Sequence, residues 1–273
     1  MKTTIFRTIA GLALAAALSP AFAADAAKPA AATHPSADSI LKKMSDTLAG
    51  AKQYSFKGTR VLSSALAADK NMQAKSDITV TVQRPDRVVA TSSSGDTVRS
   101  LYFDGANFTM MDGKTNMYST VVMKATLDTL PVQLAANYGI IPPLSDFAVS
   151  NPYKDMKRRA KSVTYVGTDT AGTPAVPTYH LKLGGTVADS DLWIGVDDHL
   201  PRKMTANVKS GANKGAAVAI EFTEWNLSAT VTDQTFAFVQ PKGAQSIPMV
   251  TTAEIQAAAA KAAEAAGGTA AKK

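Results

Sequence analysis

The sequence predicts a mainly β protein of the α+β class, in which short helices cover one apolar face of an antiparallel sheet. Three observations lead to this prediction. Apolar and polar residues alternate with a period of two in about ten short segments, as in strands with one face in a core and the other in water. These segments follow one another too closely for the helical crossovers that parallel strands need. A helical period occurs near the start and in the middle of the chain.

The first 23 residues predict a cleavable export signal. Lys2 and Arg7 give a positive start, residues 9–18 are apolar, Pro20 ends that run, and Ala23 completes a small-x-small cleavage pattern. The alternative is a membrane anchor, but the run is too short to span a bilayer core of about 30 Å. We therefore expect export with cleavage after Ala23. Residues 24–35 are rich in Ala and Pro and predict a disordered leader.

The predicted folded domain covers residues 36–248 and begins with a helix. Ser36 can cap its N-terminus, and Gly50 can end it. Ile40, Leu41 and their apolar neighbours one and two turns later share one helical face, so this helix needs a partner.

The predicted strands form two groups. Within each group, turn signals such as Asp-Gly and Arg-Pro-Asp-Arg separate one strand from the next. Tyr54 and Phe56 start the first strand. The remaining segments of the first group are residues 78–83, 88–93, 97–104, 107–112 and 117–122, and those of the second are 162–167, 178–183, 191–196, 202–209 and 218–223.

A helical insert at about residues 124–160 separates the two groups of strands. Leu127, Leu130, Leu134 and Tyr138 recur at helical spacing, and Pro152 can start a further helix. Such a stripe must be buried, and its predicted partner is the strand face that carries Ile78, Val80, Leu101 and Phe103. Residues 249–273 are Ala-rich, and we expect a frayed or disordered tail because an isolated helix of this length is marginal in water.

Composition offers little material for catalysis or cofactor binding. The chain has no cysteine and three histidines, and it lacks a nucleophile elbow and a nucleotide-binding glycine motif. We therefore expect no enzyme activity, no catalytic residues, no metal and no cofactor. Without Lys2 and Arg7 the formal net charge falls from +7 to +5, a mild excess that suits an anionic lipid surface and is also ordinary for a soluble protein. Export from the cytoplasm disfavours nucleic acid as a partner. Lys154, Lys157, Arg158 and Lys161 form either a solvated helix face or a patch for lipid head groups, so membrane contact is at most peripheral.

Several motifs, in order, resemble those of the LolA-like superfamily of lipoprotein carriers, which includes LppX and RseB. They are Arg84-Pro85 followed by Asp104-Gly105, Trp193-Ile194 followed by Leu200-Pro201, and a closing run with Asp233, Phe236, Phe238, Pro241 and Gly243. With Asn137 to Ile141 and Asn151-Pro152-Tyr153, the chain is most similar to an uncharacterised branch of this superfamily, predicted periplasmic proteins that form a domain of unknown function.

The resemblance implies a periplasmic protein with an open β half-barrel of about eleven strands, whose concave mouth is covered by helices and binds acyl chains. It also makes Arg60 the candidate for the key arginine of the carriers. The insert is longer here than in the classical carriers. The candidate ligand-binding residues of the cavity and its helical cover are Phe56, Ile78, Val80, Leu101, Phe103, Leu127, Leu130, Leu134 and Trp193.

Two main hypotheses of function follow. The first is a non-enzymatic carrier or sensor of an apolar ligand, a lipid or the acyl chain of a lipoprotein. The second is an interaction or structural module of the envelope, with a protein partner, a filled core and no ligand. An envelope hydrolase is a third possibility, disfavoured because no nucleophile, base and acid can be assembled from the sequence.

Overall fold

The computed structural model describes residues 34–69, 73–140, 142, 144–211 and 213–270. The predicted export signal and most of the predicted leader lie outside this range. All elements named below belong to the unit that begins at Pro35. None of the described helices is long and apolar enough to cross a membrane.

Twelve strands of the described residues form a single open sheet. Their order across it is β12-β6-β5-β4-β3-β2-β1-β11-β10-β9-β8-β7, so β12 and β7 are the edges. All pairs are antiparallel except β12 with β6. The prediction of a mainly β fold with an open antiparallel sheet is confirmed. The strands are β1 Gln53–Leu62, β2 Lys75–Gln83, β3 Arg87–Ser94, β4 Thr97–Phe103, β5 Asn107–Asp112, β6 Met117–Val122, β7 Ala160–Ala171, β8 Val176–Gly185, β9 Ala188–Gly195, β10 Pro201–Val208, β11 Ala217–Asn226 and β12 Gln245–Ser246.

Seven helices of the described residues accompany the sheet, and their ends follow local chemistry. Ser36 accepts a hydrogen bond from the Ser39 amide at the start of α1, and Asn151 does the same for Lys154 at the start of α5. Gly139 ends α3 with a φ of 65°, a conformation that glycine adopts without strain. The helices are α1 Ala37–Gly50, α2 Ser64–Asp69, α3 Leu130–Tyr138, α4 Ser145–Ala148, α5 Pro152–Arg159, α6 Asp233–Phe236 and α7 Thr252–Ala270.

The core lies between one face of the sheet, here called the inner face, and the helices α1, α3, α4 and α5. On β1 the buried residues Tyr54, Phe56, Gly58, Arg60 and Leu62 alternate with more exposed ones, which identifies the inward parity of that strand. Strand pairing carries this parity across the sheet, to Val80 on β2, Ala90 on β3 and Leu101 on β4. Residues of the helical insert line one cavity with these three residues, so the insert lies over the central strands.

The C-terminal segment returns to the sheet and packs against its opposite face, the outer face. The ring of Phe238 lies 5.5 Å from that of Tyr102 and 4.8 Å from that of Tyr118. The tail that was expected to be frayed or disordered is described as the helix α7. Thr252 donates a hydrogen bond from its hydroxyl to the Ala136 carbonyl of α3, so the start of α7 has a tertiary partner that an isolated helix lacks.

Candidate functional site

A small apolar cavity lies between the helical insert and the inner face of the sheet. Its volume is about 50 Å³. Ligand pockets in proteins commonly measure about 300–1,000 Å³, so an acyl chain does not fit unless the insert moves. Its lining includes Val80, Val88, Ala90 and Leu101 on the sheet, and Leu127 and Leu130 on the insert.

Eight of the nine predicted ligand-binding residues lie in or against one apolar core. Val80, Leu101, Leu127 and Leu130 line the cavity. The other four, Phe56, Ile78, Phe103 and Leu134, pack around them, with Phe103 and Leu134 fully buried. The predicted contact between the leucine stripe and the central strands is therefore present. Side chains fill most of the space between them and leave only the small cavity.

Trp193 does not join the other eight residues. Its neighbours Leu192 and Ile194 are buried in the core, so alternation along β9 places Trp193 on the outer face. There its ring stacks on His180 with centroids 4.2 Å apart, and its Nε1 donates to an Asp169 carboxylate oxygen at 3.2 Å. The assignment of Trp193 to the cavity does not fit this geometry, because alternation along β9 puts its side chain on the face opposite to Leu192 and Ile194.

Two side chains hold the end of α4 against the sheet and α1. The Tyr54 hydroxyl donates a hydrogen bond to the Phe147 carbonyl at 2.5 Å. Arg84 donates through Nη2 to the Val149 carbonyl at 3.0 Å and through Nη1 to the Leu48 carbonyl at 2.8 Å. Tyr54, Arg84 and the carbonyls of Phe147 and Val149 are called the latch, because these contacts tie the insert to the rest of the protein.

The latch lies in a low-dielectric environment. Tyr54 is fully buried, and its burial raises the pKa of the phenol to about 12. The Arg84 guanidinium carbon lies 4.9 Å from the centre of the Tyr54 ring. Tyr54 was predicted only as the start of a strand, and Arg84 only as part of a turn and of a motif that carries the resemblance. The available signal was the hydroxyl of Tyr54 at an inward position, since a buried hydroxyl needs a partner.

Two further contacts tie the insert to itself. Asp128, just before α3, accepts hydrogen bonds from the amide and hydroxyl of Ser150, both at 2.7 Å. Asp146 of α4 pairs with Arg159 of α5. Burial raises the pKa of the Asp146 carboxyl, and Arg159 opposes this shift. Hydrogen bonds and an ion pair therefore connect the start of α3, α4 and α5 to one another.

The basic residues of α5 are largely paired. Lys157 lies 2.7 Å from a carboxylate oxygen of Asp38, and Arg158 pairs with Asp155. Arg159 pairs with Asp146 and Asp155. These carboxylates offset the positive charges of the helix, which favours a solvated helix face over a patch for lipid head groups.

Among the described residues, no group of three or more His, Cys, Asp or Glu side chains is arranged to hold a metal ion. His180 instead forms a hydrogen bond with Asp191 at 2.8 Å.

Comparison with protein families decides where this chain belongs. The model of the family described as predicted periplasmic protein (DUF2092) matches residues 37–250, which is most of the chain. The chain belongs to the DUF2092 family. The prediction of an uncharacterised family of predicted periplasmic proteins is thereby confirmed. Among curated proteins, none matches the chain in sequence.

Solved structures with a similar chain path are distant from this DUF2092 protein. An uncharacterized conserved protein from Thermus thermophilus has 11% identity and a TM-score of 0.43, over 78% of this chain and 98% of that one. MucB, in a complex with MucA, has 15% identity and a TM-score of 0.39, over 74% of this chain and 60% of that one. A LolA superfamily protein from Nitrosomonas europaea has 10% identity and a TM-score of 0.36, over 75% of this chain and 99% of that one.

Proposed function

We propose that this DUF2092 protein is a non-enzymatic binding protein of the periplasm, a carrier or sensor that holds an apolar ligand between the inner face and the helical insert. The ligand class is a lipid or the acyl chain of a lipoprotein. The observation that carries the proposal is the apolar cavity at the junction of the sheet and an insert that is tied down by the latch. The family description and the predicted signal peptide, cleaved after Ala23, support the location.

Binding in this scheme requires the insert to move away from the central strands. The latch carbonyls then exchange their side-chain donors for water, at a net cost of about 0.5–1.5 kcal/mol per hydrogen bond. Opening also separates Leu127 and Leu130 from Val80 and Leu101. An acyl chain that takes their place is buried at about 0.8 kcal/mol per methylene, which can offset the opening and the entropy of binding.

The second candidate is an interaction module that binds another envelope protein and holds no ligand. The small volume of the cavity, about 50 Å³, favours it, as does the full burial of Phe103 and Leu134. In this case the insert is a permanent part of the core, and the binding surface lies elsewhere.

Native mass spectrometry of the gently purified mature protein tests the proposal directly, because a co-purified lipid adds a discrete mass. The second measurement is a titration of the delipidated protein with N-phenyl-1-naphthylamine, a neutral fluorescent probe of apolar sites. The proposal expects saturable binding near one site per chain, and stronger binding by the Tyr54→Phe variant with its weakened latch. A clean apo mass together with no probe binding by either protein would overturn it and favour the interaction module.

A further inference from the structure

The inner face changes from apolar to polar along the direction of its strands. On β1 the inward residues run from Phe56 to Arg60, and on β2 they run from Val80 to Ser76. On β3 and β4 the change from an apolar to a polar side chain occurs between inward residues two positions apart. These are Ala90 and Ser92 on β3, and Leu101 and Arg99 on β4. On β2, β3 and β4 the inner face therefore has an apolar end under the insert and a polar end beyond it, and on β1 the polar Arg60 lies between Phe56 and the buried Leu62.

A second and larger cavity lies at this polar end. Its volume is about 170 Å³. Its inner wall includes Arg60, Ser76, Ser92 and Arg99, and the exposed residue Lys114 stands at its rim. The charged groups among its described lining residues are Arg60, Arg99, Lys114 and Asp112. The lining is therefore cationic, with polar hydroxyls between the charges.

Arg60 is the unusual residue of this cavity, since only 4% of its surface is exposed. Its Nη2 donates to the hydroxyls of Ser76 and Ser92, at 3.0 and 3.1 Å. Its Nε is buried and has no hydrogen-bond partner within the described part of the chain. No carboxylate among those residues forms an ion pair with it, whereas Arg99 pairs with Asp112 at 3.0 Å.

A buried guanidinium without a counter-ion is costly, because burial removes the water that stabilises its charge. Burial, followed by repulsion from Arg99, lowers the pKa of Arg60. An anionic oxygen group in the cavity would offset both effects. Hydrogen bonds from a guanidinium to a carboxylate or phosphate are charge-assisted and strong, and the Nε–H of Arg60 has no acceptor among the described residues.

The apolar and polar cavities share strands β2, β3 and β4. Ala90 lines the first and Ser92 the second, and Leu101 and Arg99 repeat this relation. Residues two apart on a strand are separated by about 7 Å, so the two cavities are adjacent along the inner face. We infer that the polar end binds the anionic head group, a carboxylate or phosphate, of an amphiphile whose apolar chain lies under the helical insert. This inference rests on the proposed function and narrows its ligand class.

Competition with the neutral probe N-phenyl-1-naphthylamine tests the inference. The competitors are dodecanoate and dodecyl phosphate, which carry an anionic head, and dodecanol, which carries the same chain without charge. Wild-type protein is expected to bind both anions at least tenfold more tightly than dodecanol, since a charged hydrogen bond is lost with the neutral head. Arg60→Gln should abolish that preference by weakening the binding of the two anions, and Arg60→Lys should retain part of it.

Arg158→Gln on the exposed face of α5 is the matched control, and it should keep the preference of the wild type. Thermal unfolding of each variant shows whether it is folded. If Arg60→Gln does not fold, the binding preference of Arg60→Lys decides the test. Equal affinity of the wild type for dodecanoate and dodecanol would overturn the inference of an anionic head group and leave the proposed function intact. Failure of all three competitors and of the probe would overturn both.

Inorganic phosphate and acetate, added alone, distinguish a head group from a free anion. The inference expects them to raise the melting temperature little at millimolar concentration, because they lack the chain that supplies apolar burial. A different result would be strong, Arg60-dependent stabilisation by inorganic phosphate, with no binding of dodecyl phosphate at the probe site. It would show a site for free anions and overturn the inference that the ligand is an amphiphile.

Discussion

Substitution of Tyr54 by phenylalanine is the most direct perturbation of the latch. It removes one hydroxyl and keeps the ring, which packs against Trp225 with centroids 6.3 Å apart. The Phe147 carbonyl loses its donor at 2.5 Å and, among the described side chains, keeps Arg84 Nη2 at 3.4 Å. A net hydrogen bond contributes about 0.5–1.5 kcal/mol, so we expect the free energy of unfolding to fall by about 1 kcal/mol.

The same bond exists only while the insert is closed, so its loss should also shift the opening equilibrium. A change of about 1 kcal/mol corresponds to roughly a fivefold rise in the open population, and to a similar gain in apparent probe affinity if the closed state dominates. The assays are urea unfolding and titration with N-phenyl-1-naphthylamine. Tyr102→Phe on the outer face is the control, and it should leave probe affinity unchanged. A loss of stability in Tyr54→Phe with unchanged probe affinity would refute the role of the latch in binding.

Three further predictions concern stability. Because the folded-state pKa of Tyr54, about 12, lies above that of an unfolded tyrosine, its stabilising contribution is complete below pH 10 and is lost as pH rises through 12. Urea unfolding should show a loss of about 2–3 kcal/mol over this range in the wild type that Tyr54→Phe lacks. Leu134→Ala should cost about 2–5 kcal/mol. Leu130→Ala should cost less, because the Leu130 side chain already borders the cavity and has fewer packing contacts to lose, and it should strengthen probe binding. Equal costs with no probe binding would favour a sealed core. Phe236→Ala should cost about 3–5 kcal/mol, while Asp233→Ala, which breaks an exposed pair with Arg87, should cost under about 1 kcal/mol; the reverse order in thermal unfolding would contradict this.

Elements with strong local signals could be predicted from the sequence. The helix α1 begins after Ser36 and ends at Gly50, as its cap and its glycine indicate. The central strands follow their alternation closely, since a half-buried strand imposes a period of two on its residues. The short helices α2 and α6 were not predicted, because so short a segment contains too few turns to show a helical period.

The contacts of the candidate site could be predicted only in part. Burial of Leu127, Leu130 and Leu134 followed from their spacing, but the tie between Tyr54 and Phe147 joins residues 93 positions apart. No local pattern encodes such a pairing. The parity of β9 could have placed Trp193 on the outer face, because its neighbours Leu192 and Ile194 are the apolar members of the alternation.

Parity also explains why the polar end of the inner face was missed. Alternation indicates which face a residue points to, but it does not indicate where along the strand the environment changes. Phe56 and Arg60 share one parity, yet the first is surrounded by aromatic rings and the second by serine hydroxyls. A residue-type argument would place a charged arginine on the solvent side, and here that argument fails.

The burial of Arg60 has a physical consequence of its own. If this position served stability alone, an apolar side chain of similar volume would serve at least as well, because burying a charge is rarely repaid within the protein. The serines on β2 and β3 satisfy only one of its nitrogen atoms. An arginine whose burial is incompletely compensated by described residues is therefore better explained by a group that binds there. Arg60→Met separates the two explanations, because a gain in stability together with a loss of dodecanoate binding indicates a residue kept for its ligand, whereas a loss of stability with unchanged binding indicates a structural one.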